Sequence, residues 1–190
     1  MRVGVFICHC GSNIAGTVDV ARAAAELRKV PGVAFATNYM YTCSEPGQDE
    51  VKQAIKRENL DRIVVAACSP RMHELTFRRT IEKAGLNRYF LEMANIREHI
   101  SWVGLDKEAN TIKAIETIKM AVAKVMQNKP LYSSSFKINK RVLVIGGGVA
   151  GMQAALDCGD GGLEVVLVEK SPSVGGMMAR LDKTFPTIDC

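Results

Sequence analysis

Apolar residues along this chain come in short dense blocks separated by longer stretches in which they recur every third or fourth position. "VGVFIC", Val3 to Cys8, is almost wholly apolar, as a strand buried on both faces should be. "DVARAAAELRKV" then places Val20, Ala24 and Leu27 at helical spacing. The rhythm repeats: "VAFATNYMY" reads as a strand, "GQDEVKQAIKREN" as a helix with Val51, Ala54 and Ile55 inward, and "RIVVAAC" as another buried strand. A helix around "TFRRTIEKAG" stops at Gly85, and "RYFLEM" supplies a fourth strand. Ile112, Ile115, Ile118, Val122 and Val125 mark a long amphipathic helix that ends near "QNKP". Strands alternating with helices predict an α/β fold, a Rossmann-like domain around a parallel sheet.

The periodicity lapses in "LYSSSFKINK" and resumes in "RVLVIGGGVAGMQAALDCGDGGLEVVLVEK", a complete strand, glycine turn, helix and strand. The expected organisation is an N-terminal α/β domain over residues 1–127, a linker over 128–139 and an incomplete dinucleotide-binding unit over 140–190. Two parallel strands cannot bury themselves, so the rest of that second sheet is expected from elsewhere.

Composition narrows the class. A 47% hydrophobic content supports a packed core, and no apolar run is long enough for a membrane span or shaped like a secretory signal. A cytoplasmic location is the expectation. There, six cysteines are better explained by metal ligation, redox chemistry or burial than by disulfides. The net charge of +5 is modest and its basic residues alternate with acidic ones, which argues against nucleic-acid binding. "RMHELTFRR" is the densest basic stretch and reads first as a solvated helix face.

Gly146, Gly148 and Gly151 form G-x-G-x-x-G between a strand and a helix, with Val149 and Ala150 filling the variable positions. The first glycine permits the turn, the second lets backbone approach a pyrophosphate, and the third lets helix and strand pack closely. Glu169 closes the next strand, where an acceptor for a ribose hydroxyl belongs, and Lys170 follows it. Gly175 and Gly176 add a second pair that is similar to the pattern of two-dinucleotide-binding flavoproteins, a resemblance that favours FAD over NAD, and the carboxylate argues against NADP.

In a parallel sheet all strand C-termini share one edge, where ligands bind. Cys8 ends the first strand, Cys10 follows it, Cys43 follows the second strand and Cys68 ends the third, so four thiols distant in sequence are expected on one rim. Four thiolates satisfy an iron–sulfur cluster, and zinc accepts the same set. An exchanging dithiol and simple burial are the other readings. Ser44 and Ser69 are expected either to cap helices or to donate to sulfur; His9 and His73, the latter placed in a loop, and His99, placed with Trp102 on a helix against the sheet, are read as packing or surface residues. Cys158 is read as core, and Cys190 as a ligand, a nucleophile or an accident of truncation.

"CHCGSNIAG", "YTCSEPGQ", "CSPRMHELTFRR", "EMANIREHISWV", "VLVIGGGVAGMQAAL", "VEKSPSVGG" and "LDKTFPTIDC", in this order, resemble the A-subunit family of heterodisulfide reductase. The resemblance covers essentially the whole chain. It implies an electron-transfer flavoprotein whose second unit is the first βαβ of a thioredoxin-reductase-like FAD-binding domain, held through Gly146, Gly148, Gly151 and Glu169. It also implies a [4Fe-4S] cluster facing Cys8, Cys10, Cys43 and Cys68, and a place in flavin-based electron transfer or bifurcation in anaerobes. The implied partners are a chain completing the flavin domain and other iron–sulfur or hydrogenase- or dehydrogenase-type subunits. The family's later ferredoxin-type motifs are missing here, which leads us to expect a fragment, a split subunit or a recoded stop codon read as termination. The alternative is a non-enzymatic four-cysteine metal module that docks a partner; a free-standing NAD-dependent dehydrogenase ranks last, since no acid–base substrate site is visible.

Overall fold

The computed structural model describes residues 1–188 and divides the chain into two compact units, Met1–Tyr132 and Ser133–Cys190. In the first unit four parallel strands, β1 (Val3–Cys8), β2 (Val33–Tyr39), β3 (Arg62–Ala67) and β4 (Leu91–Asn95), lie in the order β2-β1-β3-β4. The central strands β1 and β3 are the near-continuous apolar runs, and every residue of β1 is buried. Helices α1 (Val20–Leu27) and α4 (Lys107–Gln127) pack together on the sheet, and α2 (Glu45–Arg57) packs with α3 (Pro70–Lys83). The apolar positions expected of α4 face the sheet from Ile115 onward, whereas Ile112 is exposed. Phe6, Ile7, Ile63, Phe77 and Ile118 are each under 2% exposed, and truncating one such apolar side chain to alanine typically costs about 2–5 kcal/mol.

Helix starts are fixed by short polar side chains. Asp19, Ser44, Ser69 and Asp106 each accept a hydrogen bond from a backbone N–H in the first turn of α1, α2, α3 and α4. Pro46 and Pro70 occupy first-turn positions, where a missing N–H costs nothing. α3 therefore begins directly after Ser69, about a turn and a half before the "TFRRTIEKAG" periodicity, and His73 lies on it rather than in a loop. After β4 the chain makes a π-helical turn, Arg97–Ser101, which carries His99. Trp102 follows it and is 59% exposed.

Residues 128–140 have no regular secondary structure, but the first of them remain tied to the first unit: Asn128 Nδ2 donates to Tyr89 O and Glu92 Oε1, and Leu131 O accepts from Asn87 Nδ2. In the second unit β5 (Arg141–Ile145) and β6 (Glu164–Val168) pair in parallel around α5 (Val149–Asp160). Val142, Val144, Val165 and Leu167 are half-buried, while Leu143, Ile145, Val166 and Val168 alternate with them and are exposed. No residue of α5 is buried, and Cys158 is half-buried rather than core, because two strands and one helix offer too little cover. No helix among the described residues is long and apolar enough to cross a membrane. Cys190 lies outside the described residues.

Candidate functional site

Strand order decides where the first unit can bind a ligand. In β2-β1-β3-β4 the connections leave β1 toward opposite edges, so the topological switch point falls between β1 and β3, and the crevice beyond their C-terminal ends is the expected binding position. Cys8 ends β1 and Cys68 follows β3 at that crevice; Cys10 and Cys43 belong to the loops after β1 and β2. Cys8 and Cys68 are buried, Cys10 and Cys43 half-buried. The thiols lie near enough to perturb one another. Burial first, and then negative charge at Cys8 and Cys10, pushes the Cys43 thiol up. Burial is also the main cause at Cys68, which is pushed up to about 11 against the lowering effect of Arg97.

Cys8 Sγ donates to Met40 O at 3.8 Å and accepts from Cys10 N–H at 3.3 Å. Cys10 has φ +50° and Gly11 φ +61°, two successive left-handed residues that fold the loop back over the end of β1. Thr42, beside Cys43, is 1% exposed, and its Oγ1 has no hydrogen-bond partner, an uncommon condition for a buried hydroxyl. No group of three His, Cys, Asp or Glu side chains among the described residues is arranged to hold a metal ion. The donor set of four sulfurs with a buried orphan hydroxyl suits a thiolate-ligated group once the thiols are deprotonated.

Two residues beside the rim escape a reading of the sequence alone. Arg97 Nη1 donates to Cys10 Sγ at 3.1 Å, and Glu98 Oε2 accepts from Ser69 N–H at 2.9 Å, next to Cys68. Arg97 and Glu98 also pair at 2.9 Å. Burial would lower the Arg97 pKa, but its bonds to Glu98 and Cys10 raise it overall; burial would raise that of Glu98, but Arg97 holds it below the usual range. The available signal is an Arg-Glu pair directly beyond a strand's C-terminal end. Ser44 and Ser69 take the capping option, and His9 Nε2 bonds Asn38 Oδ1 at 2.7 Å.

In the second unit each glycine has a distinct steric reason. Gly146 has φ +105°, which only glycine adopts readily. A Cβ on Gly151 would collide with the carbonyl oxygen of Gly146, so the third glycine permits close packing of helix on turn. At Gly148 a Cβ would meet nothing within 4 Å: protein leaves open space there. The start of α5 has no side-chain cap, so its first N–H groups and positive dipole end remain available to an anion. Glu169 Oε2 accepts from Gly147 N–H at 2.6 Å and Oε1 from Ser171 N–H at 2.7 Å. These bonds, Ser171 first, hold its carboxyl at about 2. Each oxygen keeps a further lone pair for a hydroxyl.

Gly175 and Gly176, at φ +114° and +56°, fold against this turn: Gly175 N–H donates to Gly147 O at 2.7 Å, and a Cβ on Gly176 would stand 2.9 Å from Gly148 Cα. Ile145, Gly146, Val168, Glu169 and Lys170 line a cleft of about 330 Å³, while Val149 and Ala150 are exposed on the first turn of α5. An uncapped helix start, an empty approach at Gly148 and a carboxylate at the end of β6 fit a dinucleotide.

Residues 141–182 match the family model described as FAD dependent oxidoreductase. All 190 residues align at 56% identity with a CoB–CoM heterodisulfide reductase iron-sulfur A-subunit of Methanopyrus kandleri. They align at 53% with the A-subunit of the H2:CoB–CoM heterodisulfide,ferredoxin reductase of Methanothermobacter marburgensis, and in full at 46% with that of the ferredoxin:CoB–CoM heterodisulfide reductase of Methanosarcina mazei. The chain is thus homologous along its entire length to heterodisulfide reductase A-subunits. It spans 29% of the first two relatives and 24% of the third.

Proposed function

We propose that the chain serves in a heterodisulfide reductase-like electron-transfer complex, with FAD held at the glycine turn of the second unit and a four-cysteine iron–sulfur cluster at the rim of the first. Bound there, FAD supplies interchange between two-electron and one-electron transfer, and the cluster a one-electron relay. The backbone N–H groups at the start of α5, those of Val149 and Ala150 among them, would hold the pyrophosphate, and Glu169 would take a ribose hydroxyl. Gly175 and Gly176 brace the turn, and Lys170 borders the cleft. Cys8, Cys10, Cys43 and Cys68 supply the sulfurs. Ferredoxin stands in the printed names of two relatives; the partners are a chain completing the flavin domain over the exposed face of β5 and β6 and other iron–sulfur or hydrogenase- or dehydrogenase-type subunits of a redox complex.

The observation that carries the flavin half is the uncapped start of α5 facing open space at Gly148, with Glu169 beside it. For the rim, zinc is the competing occupant. A tetrahedral Zn–S distance of about 2.3 Å needs four sulfurs converging on one point, whereas a cluster spreads its ligands over several irons. The deciding experiment is anaerobic purification followed by an absorbance spectrum and iron, sulfide, zinc and flavin analysis, repeated on Cys43→Ser and Cys68→Ser. The expected result is flavin plus iron and sulfide, with iron lost in both variants. Unchanged iron in the variants removes those ligands, and zinc without sulfide replaces the relay with a structural module.

A further inference from the structure

Arg97 is tied down from several sides. Its side chain is 12% exposed; besides Cys10 Sγ, its Nη2 reaches Met72 Sδ at 3.0 Å and Glu98 Oε1 at 2.9 Å, and its guanidinium lies 4.7 Å from the centre of the Trp102 ring. A planar, permanently charged fork fixed by a carboxylate, a thioether and an indole loses little freedom in meeting a sulfur. It also stands on a π-helical turn, a rare backbone form that clusters at functional sites.

We infer that Arg97 is a positioning residue, which holds Cys10 Sγ at the rim and supplies the counter-charge that favours the reduced state of a cluster bound there, with Glu98 setting the opposite bias. This rests on the reading of the rim as a cluster site. One-electron reduction adds a negative charge. A fixed cation at hydrogen-bond distance from a ligating sulfur lowers the free energy of that state, and a carboxylate beside Cys68 raises it. The two side chains neutralise each other in net charge but not in position, since Arg97 touches sulfur and Glu98 touches the Ser69 backbone.

The test uses wild type, Arg97→Lys, Arg97→Met and Glu98→Gln, purified anaerobically. Iron and sulfide per chain are counted, and reduction is followed by electron paramagnetic resonance against a set potential. Arg97→Met is expected to shift the one-electron equilibrium at least tenfold toward the oxidised form, about 59 mV for a one-electron couple. Arg97→Lys shifts it less, and Glu98→Gln shifts it the other way. Loss of iron from Arg97→Met alone, with unchanged far-ultraviolet circular dichroism and full iron in Arg97→Lys, also supports the assignment. Arg97→Gln takes over the readout if Arg97→Met unfolds. Iron-replete Arg97→Met at the wild-type potential overturns the inference alone, as do shifts of Arg97→Met and Glu98→Gln in one direction, which indicate general loosening. A wild-type protein without iron overturns the cluster reading and the inference together.

Discussion

Replacing Gly148 and Gly151 separately by alanine distinguishes a glycine needed by a ligand from one needed by the fold. At Gly148, φ −73° and ψ 178° are open to any residue and an added methyl meets no protein atom within 4 Å. Folding should therefore change by no more than about 1 kcal/mol, the span by which alanine is worse than glycine at a helix N-cap. The same methyl projects into the space assigned to the pyrophosphate. Losing one charge-assisted hydrogen bond from the start of α5 costs about 1.5–3 kcal/mol. At 1.4 kcal/mol per factor of ten, this weakens FAD binding by roughly 10- to 150-fold. At Gly151 the methyl meets the Gly146 carbonyl instead, so the turn itself must move, at about 1–3 kcal/mol. Flavin fluorescence quenching gives the affinity, and amide exchange of β5, α5 and β6 gives local stability. Alanine at position 148 should keep exchange protection and lose FAD; at position 151 it should lose both. Wild-type affinity with alanine at 148 would refute the phosphate cradle.

Gly47→Ala tests the link between helix α2 and the sulfur rim. Its Cβ would stand 2.7 Å from the Thr42 backbone, so the loop bearing Cys43 must shift, with a stability loss of about 1–3 kcal/mol in urea unfolding and reduced iron content; full stability with full iron would count against that coupling. The Glu169 carboxyl lies at about 2, below its ordinary 4.5. A depressed value means that the ionised form is favoured by the fold, so its contribution is complete above pH 4.5 and is lost as pH falls toward 2. The protection factors of Gly147 and Ser171 amides, taken against the intrinsic exchange rate at each pH, should fall over that window in the wild type and be low throughout in Glu169→Gln; identical acid profiles would contradict it.

The parallel sheet is legible because β1 and β3 are apolar enough to declare burial on both faces, and the glycine turn because three glycines stand between a strand and a helix. The expectation of one sulfur rim comes from topology, since Cys8, Cys10, Cys43 and Cys68 form no compact motif. Periodicity places the start of α3 late: Pro70 and the capping hydroxyl of Ser69 begin the helix before its apolar face does. The π-helical turn is illegible because "REHIS" has no distinctive period, and with it goes the position of Arg97 against Cys10 Sγ. Cys158 misleads because an apolar helix face implies burial only where a partner layer exists.

Placing the sulfurs at strand ends makes their geometry indifferent to the lengths of the connections at the sheet's far end. The returns at residues 28–32, 58–61 and 84–90 enter β2, β3 and β4 at the pole away from the cysteines. Residues inserted at the first two would lengthen a crossover without displacing a cysteine from the rim, so the proposed centre could be preserved while the Cys10–Cys43 and Cys43–Cys68 intervals drift. Searches keyed to fixed cysteine intervals are therefore blind to it, and strand connectivity is the property by which other examples would be found.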